Sequence, residues 1–195
     1  MSMLDGLILL VTLAISWSGS SWLASHRNPL RIMDQPNERS LHDVPTPRAG
    51  GVAILFSLLV GWGWLGYSQK LPEFSGYVAV SLACVAGISL LDDHRGISPL
   101  FRLLAHGVAA TCLVLVLPGG WFVLLVAWFA TVWLINLYNF MDGIDGLAGG
   151  MALIGFGSLG LIAWLNGHQL YSIYAWTVAA AVAGFLVLNW PPAKN

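Results

Sequence analysis

The chain has 195 residues, 57% apolar and only 9% charged, with 22 glycines, ten tryptophans and a net charge of −1. Soluble domains carry about 25% charged residues, so this composition excludes an ordinary soluble domain and describes an integral membrane protein. Nucleic acid is not an expected partner, because the net charge is close to zero.

Apolar runs follow one another along the whole chain. Leu4 to Ala24 is long enough to cross a bilayer. Its flank lacks Lys and Arg and no small-residue cleavage site follows, so it is read as a membrane helix rather than a secretory signal. A polar segment, 25–48, carries Arg27, Arg31, Arg39 and Arg48. Further spans are expected at Gly50 to Tyr67, Tyr77 to Leu91, Phe101 to Leu117, Trp121 to Tyr138, Leu147 to Leu165 and Ile173 to Trp190. Trp22, Trp121, Trp164 and Trp190 fall near span ends, as an interfacial aromatic belt requires. Gly61, Gly87, Gly155, Gly157 and Gly160 are read as positions of close helix packing. Cys84 and Cys112 lie inside apolar runs without metal-ligand spacing and are read as small packing residues.

The fold class expected is therefore an all-α integral membrane protein of about seven transmembrane helices. The excess of Lys and Arg in cytoplasmic loops sets the orientation. With the N-terminus outside and the C-terminus cytoplasmic, Arg27, Arg31, Arg39, Arg48, Arg95, Arg102 and Lys194 lie inside. Only Lys70, of the eight cationic residues, lies outside. Residues 1–195 are read as one polytopic membrane domain with cytoplasmic loops at about 25–48, 92–99 and 139–146.

That orientation puts two acidic motifs on one side of the membrane. Asp92 and Asp93 follow the third span, and Asp142 and Asp145 follow the fifth. A carboxylate at mid-membrane costs roughly 2.5–3.5 kcal/mol on insertion scales. Such residues therefore belong at the water boundary, at a binding site, or both. If 136–150 is helical, Asp142 and Asp145 stand at i and i+3 and share a face, where a cation would relieve their repulsion. Oxygen donors without a Cys or His framework suit Mg²⁺, or Mn²⁺, better than zinc. Mg²⁺ completes its shell with substrate phosphates, so a nucleotide or pyrophosphate substrate is expected. Arg31, Arg39, His42 and Arg48 in the basic segment are candidates for countering phosphate charge. Asn136 and Asn139 either cap the fifth helix or bind a ligand amide or hydroxyl. His106 has no assigned role, and His168 is read as a bystander.

Three ordered motifs resemble those of the polyprenyl-phosphate N-acetylhexosamine-1-phosphate transferases. They are Met33 to His42 with Pro45-Thr46-Pro47-Arg48-Ala49-Gly50-Gly51, Asp92-Asp93 through Ser98-Pro99, and Asn136-x-x-Asn139-x-x-Asp142-Gly143-Ile144-Asp145-Gly146-Leu147. The resemblance is nearest to the bacterial enzymes that initiate O-antigen or other surface-polysaccharide synthesis. It implies transfer of N-acetylhexosamine-1-phosphate from a UDP-sugar to undecaprenyl phosphate, with release of UMP. It also implies a bacterial inner-membrane location with a cytoplasmic active face, and it allows a homodimer. By the same resemblance, Asp92, Asp93, Asp142 and Asp145 are the catalytic candidates, with Asp92 and Asp93 binding the metal or activating the lipid phosphate. Asn139, Asp142 and Asp145 line the nucleotide-sugar site, with Asn136, Arg39, His42 and Arg48 as further substrate contacts. The resemblance implies roughly ten spans for a family member, so the chain resembles the amino-terminal part of one. A later aspartate motif and a histidine-bearing loop would lie beyond it. The competing expectations are a cation-coupled transporter and a catalytically incomplete form of the transferase.

Overall fold

The computed structural model describes residues 3–25, 33–34, 46–47, 50–68, 71–141 and 144–191. Seven helices follow one another: α1 (Met3–Ala24), α2 (Gly50–Ser68), α3 (Ser75–Arg95), α4 (Pro99–Val114), α5 (Trp121–Met141), α6 (Leu147–Leu165) and α7 (Gln169–Asn189). Between α1 and α2, two-residue strands β1 (Met33–Asp34) and β2 (Thr46–Pro47) pair antiparallel, Met33 opposite Pro47. Among the described residues, six helices are long and apolar enough to cross a membrane. The seventh, α4, has 16 residues and ends at Val114 rather than Leu117. At 1.5 Å per residue that is about 24 Å, short of the roughly 30 Å hydrocarbon core.

The apolar residues show why these helices need lipid. Phe129, Trp133, Leu134 and Phe140 on α5 all point outward, as do Ile154, Leu159 and Leu165 on α6. Faces of this size and polarity would not stay dispersed in water. The chain is a multi-pass, all-α membrane protein. Trp22, Trp121, Trp164 and Trp190 are exposed near helix ends, where an indole can sit at the interface.

The described residues divide into two compact units. The first comprises Met1–Leu71 with Asp142–Asn195, and the second Pro72–Met141. In the first, α7 is the central element and packs against α1, α2 and α6. Leu58 of α2 meets Val178, Ala181, Val182 and Leu186 of α7, while Ile8, Leu65 and Ile173 form a second cluster. Small residues bring the backbones together: a methyl on Gly184 would strike the Leu13 carbonyl of α1, and one on Gly61 would meet Thr12 and Thr177. Ser16 Oγ donates to the Ala181 carbonyl at 2.6 Å, tying α1 to α7. The contacts of Ile8 with Ile173 and Ser16 with Ala181 make these two helices parallel. Gly61 and Gly160 fulfil the packing expectation, the latter against Trp176. Gly87, Gly155 and Gly157 have open space where a side chain would stand, so close packing does not explain them.

In the second unit, α3, α4 and α5 alternate in direction. Ser81 Oγ donates to the Ala109 carbonyl at 2.9 Å across α3 and α4. Trp128 Nε1 donates to the Gly107 carbonyl at 3.1 Å across α4 and α5. Alternation brings the C-terminal ends of α3 and α5 and the N-terminal end of α4 to the same end of this unit.

Candidate active site

The acidic pair of the second unit lies inside a helix rather than in the loop after it. Apolar residues run out at Leu91, but the backbone hydrogen bonds of α3 continue through Arg95. Gly96 then stops the helix in the left-handed region (φ 63°), its N–H donating to the Asp92 carbonyl at 2.8 Å. Glycine adopts that conformation without the steric cost other residues meet. Pro99 begins α4 two residues after Ile97, its fixed φ suited to the first helical position.

Asp92 closes this turn with its side chain. Oδ1 accepts the Ile97 N–H at 2.7 Å, and Oδ2 accepts from Arg102 Nη1 at 2.8 Å. The ion pair is part-buried, with side-chain exposures of 33% for Arg102 and 25% for Asp92. Asp93 is half-buried beside it and has an interaction of its own. His94 and Arg95 are exposed. Arg102 thus does more than mark a loop for orientation; it is half of a specific pair.

Asn136 and Asn139 reach the same end of the unit on α5. Neither caps the helix, because α5 continues through Met141. Asn136 Nδ2 donates back to the Val132 carbonyl at 2.8 Å, leaving its Oδ1 available. Asn139 is exposed. His106 is buried at 4% exposure, and its Nδ1 lacks a hydrogen-bond partner among the described residues.

Asp145 belongs to the first unit. The segment between Met141 and Leu147 is not helical where it is described, so Asp145 stands in a turn and the i, i+3 face expected for a continuous helix does not form. Gly146 makes the turn at φ 72° and donates its N–H to Asn189 Oδ1 of α7 at 2.9 Å. Asp145 is half-buried and also has an interaction partner. Gly50, at the start of α2, abuts Phe185 near the end of α7, and Gly19 of α1 abuts Ala53. The basic segment therefore leaves α1 and enters α2 at the Asp145 end of this unit. Arg31, Arg39, His42, Arg48 and Asp142 themselves lie outside the described residues.

Among the described residues, no three His, Cys, Asp or Glu side chains gather into a metal-binding group. Mg²⁺ needs only one or two protein carboxylates when phosphates and water complete its shell. Asp93 has carboxylate oxygens of the right type and already has an interaction of its own. Asp92 suits Mg²⁺ poorly, because both its oxygens already accept hydrogen bonds and a guanidinium stands 2.8 Å away.

The described residues make an all-α membrane protein in which Asp92, Asp93 and Asp145 stand at or beside helix ends. More specifically, the chain belongs to glycosyl transferase family 4, whose model matches residues 75–194. This is the polyprenyl-phosphate hexosamine-1-phosphate transferase family that its three motifs resemble. It is similar to the undecaprenyl-phosphate alpha-N-acetylglucosaminyl 1-phosphate transferase of Escherichia coli (strain K12), 29% identical over 177 residues, covering 81% of this chain and 47% of the relative. The decaprenyl-phosphate N-acetylglucosaminephosphotransferase of Mycobacterium leprae is 31% identical over 222 residues, covering 96% of this chain and 55% of the relative. The chain spans about half the length of these curated relatives. No solved structure matches it.

Three contributors escaped the sequence-based site. They are Arg102, Asn189 and the β1–β2 pairing that ties Met33-Asp34 to Thr46-Pro47. Arg102 carried a detectable signal, since a cation in the first turn of a helix opposes the helix dipole and asks for a reason.

Proposed function

We propose that the protein transfers N-acetylhexosamine-1-phosphate from a UDP-sugar to a polyprenyl phosphate such as undecaprenyl phosphate, starting a lipid-linked surface polysaccharide or cell-wall glycan. The observation that carries this reading is the placement of charge. Every Asp, Glu, His and Arg described lies near a helix end or in a turn, except Asp34 in β1 and His106 within α4. Asp92, Asp93, Asn136 and Asn139 share one end of their unit, and Asp145 occupies a turn at the end of its own. A transporter would instead place ionisable groups near the bilayer midplane on broken helices. The names of the curated relatives support the polyprenyl-phosphate acceptor. The proposed site is cytoplasmic, with the N-terminus outside, following the distribution of Lys and Arg.

In the reaction, an oxygen of the lipid phosphate attacks the β-phosphorus of the UDP-sugar. The bond from that phosphorus to the bridging oxygen breaks, the electron pair leaves with UMP, and a polyprenyl-diphosphate sugar remains. Two phosphate-bearing anions must approach, so positioning and charge compensation dominate the barrier. Arg39, His42 and Arg48 supply cationic and hydrogen-bonding groups for phosphate oxygens. Asn136 Oδ1 and the Asn139 amide offer contacts to the base or the acetamido sugar. Mg²⁺, or Mn²⁺, offsets the phosphate charge when bound. Asp93 and Asp145 orient the polar groups around the reacting phosphates.

The test uses membranes containing the protein expressed from its natural reading frame. UMP release from UDP-N-acetylglucosamine should require undecaprenyl phosphate and Mg²⁺ and stop with EDTA. Asp93→Asn and Asp145→Asn should each lower the rate about 100-fold or more, the range for removing a charged group that acts in the transition state. Folded protein that releases no UMP from any UDP-N-acetylhexosamine, or that works equally well without both carboxylates, would overturn the proposal.

A further inference from the structure

We propose that the N-terminal end of the α1–α7 pair binds one water molecule, which links the Asp5 carboxylate of α1 to the Ser172 hydroxyl of α7. The inference goes beyond the transferase reading and does not rest on it. Asp5, Trp164, Gln169, Ser172, Ile173 and Trp176 line a cavity of about 10 Å³, the room that one water needs. Ser172 is 2% exposed, and its Oγ has no hydrogen-bond partner among the described residues. A buried hydroxyl in that position costs stability unless water reaches it. Trp176 is engaged elsewhere, its Nε1 donating to the Gly157 carbonyl at 3.2 Å.

The lining suits water better than an ion. A buried water needs a few polar partners, and Asp5, Gln169 and Ser172 offer a carboxylate, an amide and a hydroxyl. Asp5 has an interaction of its own, but an ionised carboxylate accepts about four hydrogen bonds, so one more from water is compatible with it. A divalent cation takes about six oxygens or more, which three side chains cannot supply in so small a space. Charge placement gives a second, independent reason. Ile8 meets Ile173 and Ser16 meets Ala181, so the same offset sets Asp5 level with Leu170 in the first turn of α7. Parallel helices bring two positive N-terminal ends together, and His168 gives α7 no side-chain cap. Asp5, in the first turn of α1, sets a negative charge beside both ends. The water carries that link inward to Ser172.

The experiment uses the protein in mixed detergent micelles. Methyl protons of Ile173, which lines the cavity, should show a nuclear Overhauser contact with water, and those of Val182 in the Leu58 cluster should show none. No contact at Ile173 would overturn the proposal. Reversible unfolding then gives the sign of Ser172→Ala. With water bound, the change removes one of its partners and raises the unfolding constant about threefold to tenfold. The reference is Ser158→Ala, at an exposed serine inside α6, which controls for helix propensity. With a dry cavity the same change removes an unpaired buried hydroxyl and stabilises, which would overturn the proposal. Asp5→Asn should also raise the unfolding constant. The Asp5→Asn/Ser172→Ala double variant should fall short of the product of the two effects, since both act through one water. Independent effects would overturn the link. Stability that rises when Na⁺ replaces choline at constant ionic strength would make the occupant a cation and overturn it too. Asp5 and Ser172 stand at the opposite end of their unit from Asp145, so absent UMP release would count against the transferase reading and leave these results intact.

Discussion

Replacing Gly184 with alanine should loosen the α1–α7 contact on which the first unit is built. A methyl at this position would stand 2.9 Å from the Trp17 nitrogen and 3.0 Å from Ser16 Cβ, with the Leu13 carbonyl nearer still. Two of these are backbone atoms, which cannot rotate away as a side-chain tip can. The helices must separate, and separation stretches the 2.6 Å bond from Ser16 Oγ to the Ala181 carbonyl. Overpacking of this kind costs about 1–3 kcal/mol, and the backbone obstacle puts Gly184→Ala at the upper end. Alanine recovers about 1 kcal/mol of helix propensity, which leaves a net destabilisation of about 1–2 kcal/mol. Gly155→Ala is the control, because nothing lies within 4 Å of the added methyl. It should stabilise by about 0.5–1 kcal/mol through propensity alone. Reversible unfolding in mixed detergent micelles, followed by tryptophan fluorescence, would measure both. If Gly184→Ala is as stable as Gly155→Ala, the close approach of α1 to α7 is not real.

Gly146→Ala should destabilise the Asp145 turn by about 1–2 kcal/mol, the cost of placing a side chain in the left-handed region, and should lower UMP release at unchanged expression. Asn189→Ala should cost about 1 kcal/mol and speed amide exchange at Gly146, the donor that loses its acceptor; unchanged exchange would refute that bond. Ser81→Ala, removing the 2.9 Å bond to the Ala109 carbonyl, should lower stability by about 1 kcal/mol in the same micelle assay. A single reactive cysteine placed at Ser98 should be labelled only from the cytoplasmic side of sealed vesicles, and labelling from outside would invert the proposed orientation.

Hydropathy located the seven described helices, six because a bilayer demands long apolar runs whatever their neighbours and α4 as a shorter apolar run. It placed their ends less well where the reason for stopping was not hydropathy. The third span was expected to end at Leu91, yet α3 runs on to Arg95 because backbone hydrogen bonds persist through charged residues until Gly96 reverses the chain. The seventh was expected from Ile173, but α7 starts at Gln169, a polar residue a helix tolerates at its wet end. Asp92, Asp93, Asn136 and Asn139 were legible as site candidates because polar groups beside apolar runs are expensive to keep. Their partners were not legible. Nothing local to Gly146 announces Asn189, 43 residues away, and Arg102 reads equally well as a topology signal until Asp92 is seen against it.

The two acidic turns answer one physical difficulty in similar ways. On the proposed reading these carboxylates handle phosphate in a membrane, and such a group must sit at the water boundary, which is where helices fray. Direction therefore has to come from outside the fraying turn. After Asp92-Asp93 it comes from Arg102 across Gly96, and beside Asp145 it comes from Asn189 across Gly146. Each turn uses a glycine at positive φ to reverse tightly, and each is held by one polar side chain from another helix of its own unit. The consequence separates this arrangement from a merely solvated helix end. Removing Arg102 or Asn189, neither of which is assigned a contact with substrate, should reduce turnover more than it reduces overall stability. Variants that lost only stability, with turnover per folded molecule intact, would return both turns to ordinary helix termination.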